Sequence, residues 1–148
     1  MTDFLQLRSL QTLEVREEDG KYVISAKGLG TTTQCASCGG VRLHGHGTQE
    51  QSYLDTPSHG LPVVIQITRR RLRCMACSKT QFDPIPDLDG KRLATRRLIT
   101  HVESRCLKET FLSIARDVCV DERTVRNIFD DYVARLKETV RFETPRCL

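Results

Sequence analysis

Two Cys-x-x-Cys pairs constrain the fold of this chain more than any other feature of its sequence. The pairs are Cys35–Cys38 and Cys74–Cys77, and 35 residues lie between them. A structural zinc ion takes four soft ligands in a tetrahedron, and two residues between cysteines let a tight turn aim both thiolates at one point. Because zinc-binding pairs are usually roughly 15–20 residues apart, we expect a hairpin to be inserted between these two turns. The sequence predicts one structural Zn2+ held by Cys35, Cys38, Cys74 and Cys77, with Gly39 relieving crowding after the first pair.

Other roles for the cysteines fit the pattern less well. A thioredoxin-like redox pair would occur once, at the start of a helix in a βαβ setting. An iron–sulfur cluster or four unliganded core cysteines remain alternatives, and a histidine between the pairs could replace one ligand (His44, His46 or His59). A site closed by four thiolates has no open coordination position, so we expect it to be structural. Cys106 and Cys119 are expected in the core, and Cys147 is given no role.

The composition indicates a small globular protein with a modest core. The chain has 148 residues, of which 39% are hydrophobic, 28% charged and 5% aromatic, and it has no Trp. No apolar run approaches the roughly 20 residues that span a membrane, and the N-terminus lacks a signal-peptide pattern. We therefore expect a cytoplasmic protein, in a compartment where closely spaced cysteines favour metal or redox roles over disulfides.

Positive charge is concentrated in the middle of the chain. Residues 69–105 contain ten basic and four acidic side chains, a net charge of +6, whereas residues 1–34 have a net charge of −1. Such a basic centre indicates a polyanionic partner, although a solvated surface would give the same composition.

The hydrophobic pattern changes from strand-like to helical along the chain. Residues 12–27 alternate around Asp19-Gly20, which predicts a hairpin, and residues 61–73 alternate as a strand. Residues 83–91 contain two prolines and are predicted to be a linker. From about Arg92 the period becomes that of helices, with a weak first helix, a second at 110–118 and a third at 121–140.

Residues 111–129 match a helix-turn-helix template. Apolar residues occur at the five positions that pack the two helices together, namely Ile114, Val118, Val120, Val125 and Ile128. A small residue, Ala115, stands where the helices cross, and Cys119 stands in the tight turn that usually contains Gly. Asp121 can cap the next helix by accepting from the N–H of Arg123 or Thr124.

Two groups of polar residues are candidates for DNA contacts. Arg pairs with guanine edges and Asn with adenine, so the start of the third helix is a candidate reader of bases. Its outward residues are Glu122, Arg123, Thr124, Arg126 and Asn127. Five arginines are candidates for phosphate contacts: Arg69, Arg70, Arg71, Arg96 and Arg97. The alternatives are a three-helix bundle with a hydrated polar face, and a strand edge protected by charge.

The order of these motifs resembles a known family. The segments are CASCGG, DTPSHGLPV (55–63), TRRRLRC (68–74), CMAC and Phe82, followed by the helix-turn-helix. Together they resemble the N-terminal part of the ISL-three family of bacterial insertion-sequence transposases. The resemblance implies recognition of terminal inverted repeats. In the family a ribonuclease-H-like catalytic domain follows a segment similar to ETPRCL (143–148), so no catalytic position of the family occurs in these residues.

These observations predict an α+β fold, a small β-rich zinc ribbon followed by a three-helix helix-turn-helix domain. Residues 1–82 form the hairpin and ribbon, 83–91 the linker, and 92–148 the helix-turn-helix domain with a C-terminal helix extension. The expected function is sequence-specific binding of double-stranded DNA without catalysis, in a protein associated with the nucleoid when bound. One alternative is a stand-alone regulator or inhibitor of transposition. Another is a zinc-ribbon interaction module that forms a homodimer through the apolar stripe at 125–140.

Overall fold

A computed structural model describes residues 3–140, which fall into two units that divide after Leu98. The first unit begins with an antiparallel hairpin of β1 (Leu10–Glu18) and β2 (Lys21–Gly28). Asp19 and Gly20 join them with φ values of 51° and 72°. Positive φ at both central residues is typical of a tight hairpin turn. The predicted hairpin is confirmed.

A second, longer hairpin supplies most of the sheet. β3 (Leu43–Ser58) and β4 (Leu61–Cys74) pair antiparallel, and His59 and Gly60 turn the chain with φ values of 51° and 78°. β4 confirms the strand predicted at 61–73, and the hairpin is the expected insertion between the two cysteine pairs. β3 was not predicted.

Short strands complete the sheet. They are β5 (Thr80–Phe82), β6 (Leu88–Asp89) and β7 (Ala94–Thr95). The strand order is β1-β2-β4-β3-β7-β6, with β5 pairing to β4, and β2 runs parallel to β4 with Tyr22 opposite Val63.

The core of this unit lies on one face of the sheet. Alternate residues of β4, Val63, Ile65 and Ile67, are at most 2% exposed and pack in one cluster with Ile24 and Tyr53. The segment 83–91, expected to be a linker, adds Ile85 and Leu88 to the same cluster. This segment therefore belongs to the packed sheet unit.

Three helices follow: α1 (Arg96–Cys106), α2 (Phe111–Val118) and α3 (Glu122–Thr139). α2 and α3 pack through buried Ile114, Val118, Val125 and Ile128, four of the five apolar positions of the template, and the fifth, Val120, is half-buried. The strands followed by three helices confirm the α+β class. Within the described residues α3 is too polar, and α1 and α2 too short, to cross a bilayer.

Candidate metal centre and nucleic-acid interface

The first cysteine pair lies in a tight turn, the first knuckle. The N–H of Cys35 donates to the carbonyl oxygen of Gly40 at 2.8 Å, and the N–H of Gly39 donates back to the carbonyl of Cys35 at 2.9 Å. Gly39 has a φ of 72°. Glycine adopts this left-handed conformation without steric cost, whereas the crowding expected at Gly39 is not found there, since an added Cβ would meet nothing within 4 Å.

The second pair repeats the same turn at the end of β4, forming the second knuckle. The N–H of Cys74 donates to the carbonyl oxygen of Lys79 and the N–H of Ser78 donates to the carbonyl of Cys74, both at 2.9 Å. Here Ser78 takes the left-handed position with φ of 60°. Two copies of one turn therefore present four sulfurs to each other.

The four sulfurs lie close enough to share one ion. All four Sγ atoms are within 4.8 Å of one another, with 3.6 Å between Cys35 and Cys77 and 3.5 Å between Cys38 and Cys74. A tetrahedral zinc with bonds of about 2.3 Å places its sulfurs about 3.8 Å apart. This cluster fits one structural Zn2+, as predicted, and the three histidines between the pairs lie outside it.

The surroundings shift the pKa values of these cysteines in different directions. The N–H groups of Cys38 and Ser37 stabilise the Cys35 thiolate and lower its pKa to about 6. The N–H of Gly40 also lowers the pKa of Cys38, but the thiols of Cys74 and Cys77 raise it, to about 11 overall. Four adjacent thiolates repel one another, and the charge that zinc supplies when bound allows all four to ionise.

Gly40 is a site residue that the sequence analysis missed. A Cβ atom at this position would lie 3.3 Å from the Sγ atoms of both Cys38 and Cys74. Only glycine allows the knuckles to approach this closely without a shift. The doubled glycine of CASCGG was the available signal.

The helix-turn-helix turn is built around Cys119. This residue has φ of 58° and ψ of 42°, so it adopts the conformation for which the template prefers glycine. The N–H of Val120 donates to the carbonyl oxygen of Ala115 at 3.1 Å and closes the turn. Cys119 is exposed, so the expectation of a core position is wrong for Cys119 and confirmed for Cys106. Cys147 lies outside the described residues.

The start of α3 presents the predicted base-reading residues. Asp121 caps the helix, since its Oδ1 accepts from the N–H of Thr124 at 2.6 Å, and this bond lowers the pKa of the Asp121 carboxyl. Arg126 pairs with Glu122 at 2.7 Å, and its guanidinium lies 5.5 Å from the ring centre of Phe111.

Exposure separates the base-reading candidates further. Glu122, Arg123 and Arg126 are exposed, whereas Thr124 and Asn127 are half-buried. Val125 and Ile128 are buried on the opposite side of the helix. The start of α3 is therefore amphipathic in the sense that the template required.

The three consecutive arginines of β4 alternate as predicted. Arg69 and Arg71 place their guanidinium groups 4.9 Å and 6.0 Å from the ring centre of Phe82. Arg69 also donates to the Asp83 carbonyl at 2.6 Å, whereas Arg70 pairs with the Asp83 carboxylate at 2.9 Å and keeps the pKa of that carboxyl low.

Arg97 occupies a different environment from the other arginines. Its Nε donates to Asp55 Oδ1 at 2.7 Å, Nη2 pairs with the second oxygen of Asp55, and Nη1 donates to the Leu5 carbonyl at 2.7 Å. Asp55 is 2% exposed and also accepts from Thr95 Oγ1 at 2.7 Å. The hydrogen bonds that Arg97 donates to the Asp55 carboxylate raise the pKa of Arg97. All three guanidinium nitrogens of Arg97 therefore have partners inside the sheet unit. Arg96 is exposed, with Nε donating to the Pro86 carbonyl at 2.8 Å.

Comparisons with known proteins find two matching family models. Residues 31–77 match the zinc-finger of transposase IS204/IS1001/IS1096/IS1165, and residues 84–133 match the helix-turn-helix domain of transposase family ISL3. The first match contains both cysteine pairs, and the second contains α1, α2 and most of α3. No curated protein and no solved structure matches the chain.

Proposed function

Because the chain belongs to the ISL3 family of transposases, we propose that it binds double-stranded DNA sequence-specifically, at the terminal inverted repeats of an insertion sequence. The observation that carries the proposal is the helix-turn-helix, whose α3 buries Val125 and Ile128 and leaves Arg123 and Arg126 exposed. In such a motif the N-terminal residues of the second helix contact base edges in the major groove. The proposal includes no catalytic step.

Arg123 is the principal base-reading residue of the proposal. It is exposed, and within residues 3–140 it makes no ion pair. Arg126 is held beside Glu122 and Phe111, so its guanidinium is oriented before DNA arrives. Asn127 can pair with adenine and Glu122 can accept from cytosine, whereas Thr124 contributes mainly by completing the helix cap.

The remaining arginines are the candidates for contacts to DNA phosphates. Arg70 is exposed and its ion pair with Asp83 lies at the surface, where such pairs contribute little and a phosphate can compete. Arg71 and Arg96 complete this set. Arg69 is the weakest candidate, because it donates to Asp83 and Tyr53 and covers the Phe82 ring.

Fluorescence anisotropy tests the proposal with two labelled duplexes at one salt concentration. One duplex contains the ends of the element that encodes the chain, and the other has the same bases scrambled. Arg123→Ala should lose about 1–3 kcal/mol on the first duplex, the contribution of a good base pair contact, and little on the second. Arg116→Ala is the matched control, since Arg116 is an exposed arginine of α2. Equal affinity of the unmodified chain for both duplexes would refute sequence-specific binding.

A second candidate function, self-association, is favoured by the end of α3. Leu136 and Val140 are 37% and 44% exposed although they continue the apolar stripe of the helix. Sedimentation of the chain at rising concentration tests it. A dimer that Leu136→Ser abolishes supports this function, and a monomer at all concentrations rejects it.

A further inference from the structure

A second cationic surface lies at the zinc end of the sheet, apart from the arginine run of β4. We call it the zinc-end patch; it comprises Arg42, His44, Arg73 and Lys79. His44 is the Cα partner of Arg73 across β3 and β4, so their side chains share one face of the sheet. The Arg42 carbonyl accepts the Met75 N–H, and the Lys79 carbonyl accepts the Cys74 N–H, both at 2.9 Å. Strand pairing and turn hydrogen bonds thus gather all four residues around the second knuckle.

The segments that form the zinc-end patch contain no carboxylate, and the negative groups beside it are the four cysteine thiolates proposed to bind zinc. Residues 31–49 and 56–82 contain no Asp or Glu. All four members are exposed, and within residues 3–140 no carboxylate pairs with Arg42, Arg73 or Lys79. By contrast, Arg70 pairs with Asp83 and Arg97 pairs with Asp55. The arginines that the sequence marked as phosphate contacts are therefore partly engaged, whereas those beside the second knuckle are available.

The backbone that carries the zinc-end patch is fixed by strand pairing and turn hydrogen bonds. Arg73 lies in β4 between Leu72 and Cys74, both at most 4% exposed, and is paired on one side to His44 and on the other to Thr80. Lys79 and Arg42 flank the second knuckle, whose backbone is fixed by two hydrogen bonds. Positive groups fixed on a firm backbone suit a partner whose charges are regularly spaced.

We propose that the zinc-end patch is a second DNA-contact surface, which holds backbone phosphates without reading sequence. The inference rests on the proposed function, since it takes duplex DNA as the partner. Lys and Arg contacts to phosphates release counterions, so each contact adds about 0.9 to the negative slope of log affinity against log salt. Base-reading residues affect the difference between sequences, whereas this patch affects all sequences equally.

The test compares two triple variants of the full chain with equal changes in net charge. One is Arg42→Gln, Arg73→Gln and Lys79→Gln; the control is Arg8→Gln, Arg16→Gln and Lys21→Gln, in the first 28 residues. Anisotropy titrations with the scrambled duplex run from about 50 to about 200 mM salt. The patch variant should reduce the slope by about 2–3 and the affinity at low salt more than tenfold, while the control changes both by less than half as much. The same reduction is expected on the duplex with the element's ends.

Zinc content, expected at one ion per chain, is measured for every sample, because the variant residues lie beside the ligands. A patch variant that keeps its zinc and has the slope of the control overturns the inference. If the patch variant loses zinc, the double variant Arg42→Lys, Arg73→Lys, which keeps both positive charges, is measured instead. If it keeps the slope of log affinity against log salt of the unmodified chain, phosphate contacts are supported, and a loss of that slope overturns the inference. Equal binding of both duplexes would refute sequence reading while leaving the slope comparison valid. A chain that binds neither duplex overturns both proposals.

Discussion

The zinc knuckles and the helix-turn-helix turn are both tight turns with a residue in the left-handed conformation, but different forces hold them. In the segments that form the knuckles and the adjoining strand ends, 31–42 and 70–82, the buried residues are Cys35, Leu72 and Cys74. Two of these three are proposed metal ligands. Apolar burial alone therefore offers little to keep the two knuckles together.

The helix-turn-helix turn has the opposite composition. Ile114, Val118, Val125 and Ile128 flank it, and each is at most 4% exposed. Both helices also begin with a side-chain cap, from Thr110 to the N–H of Ser113 and from Asp121 to the N–H of Thr124. Burying such side chains contributes about 1.5–3 kcal/mol each, so this turn needs no metal.

The contrast shows how one short chain stabilises two different exposed turns, the zinc knuckles and the helix-turn-helix turn. Where two helices can meet, periodic apolar residues position the residues that are proposed to read bases. Where strand ends must present cations without apolar neighbours, a metal replaces the missing core. The predictions below test this contrast, starting with the largest effect.

Removal of zinc should destabilise the two knuckles and leave the sheet core and the helices folded. With a chelator, or in Cys74→Ser, amides in 31–42 and 72–80 should lose most of their hydrogen-exchange protection. Amides of β2, α2 and α3 should keep theirs, because Ile24, Ile65 and Ile114 are fully buried without help from the cysteines. Structural zinc contributes about 10–16 kcal/mol in zinc-finger peptides, so the local effect should be close to complete. Exchange measured by mass spectrometry reports each segment.

Cys119→Ser is the control for zinc removal, since this exposed cysteine lies outside the cluster. It should leave the exchange pattern and the zinc content unchanged. Loss of protection in β2 on chelation would show that the sheet core itself depends on the metal.

Truncation of the helical core should have the converse effect. Ile114→Ala should cost about 3 kcal/mol in urea unfolding followed by helical circular dichroism, because it leaves a cavity at a buried site. Ile114 is fully buried, whereas Leu112 in the same helix is 47% exposed. Leu112→Ala should therefore cost only about 0.5 kcal/mol, as surface substitutions usually do. The zinc content should stay at one ion per chain in both variants. Equal costs at the two sites would mean that apolar packing does not hold this turn.

Local patterns were sufficient to predict the parts of the fold that depend on neighbours in sequence. Asp19-Gly20 specified the first hairpin, alternation specified β4, and two cysteine pairs specified the metal cluster. β3 was missed because Gly45, Gly47 and Pro57 interrupt its alternation. The structure accommodates them with register shifts between Gly45 and Thr48 and between Asp55 and Ser58, which no local pattern announces.

Long-range pairing explains why the sequence did not reveal the partners of Arg97. Its carboxylate partner, Asp55, lies 42 residues earlier, and only the folded sheet brings the two together. Charge counted along the sequence assigned Arg97 to the same basic stretch as Arg96. In the structure the two arginines differ, because Nε and Nη2 of Arg97 pair with the buried Asp55 carboxylate, whereas Arg96 is exposed and donates to the Pro86 carbonyl.

The smallest predicted effect concerns the left-handed residue of the helix-turn-helix turn. Cys119→Gly should stabilise the helical unit by about 0.5–1 kcal/mol. The left-handed conformation costs a residue with a Cβ about 1–2 kcal/mol, and glycine avoids this cost. Glycine also has more conformational freedom in the unfolded state, which offsets about half of the stabilisation. Cys119→Ala keeps the Cβ and should show no such gain, so the difference in urea midpoint between the two variants isolates the backbone term from the loss of the thiol. A midpoint for Cys119→Gly at or below that of Cys119→Ala would show that the turn accepts a Cβ without strain, and that cysteine replaces the usual glycine here at no cost.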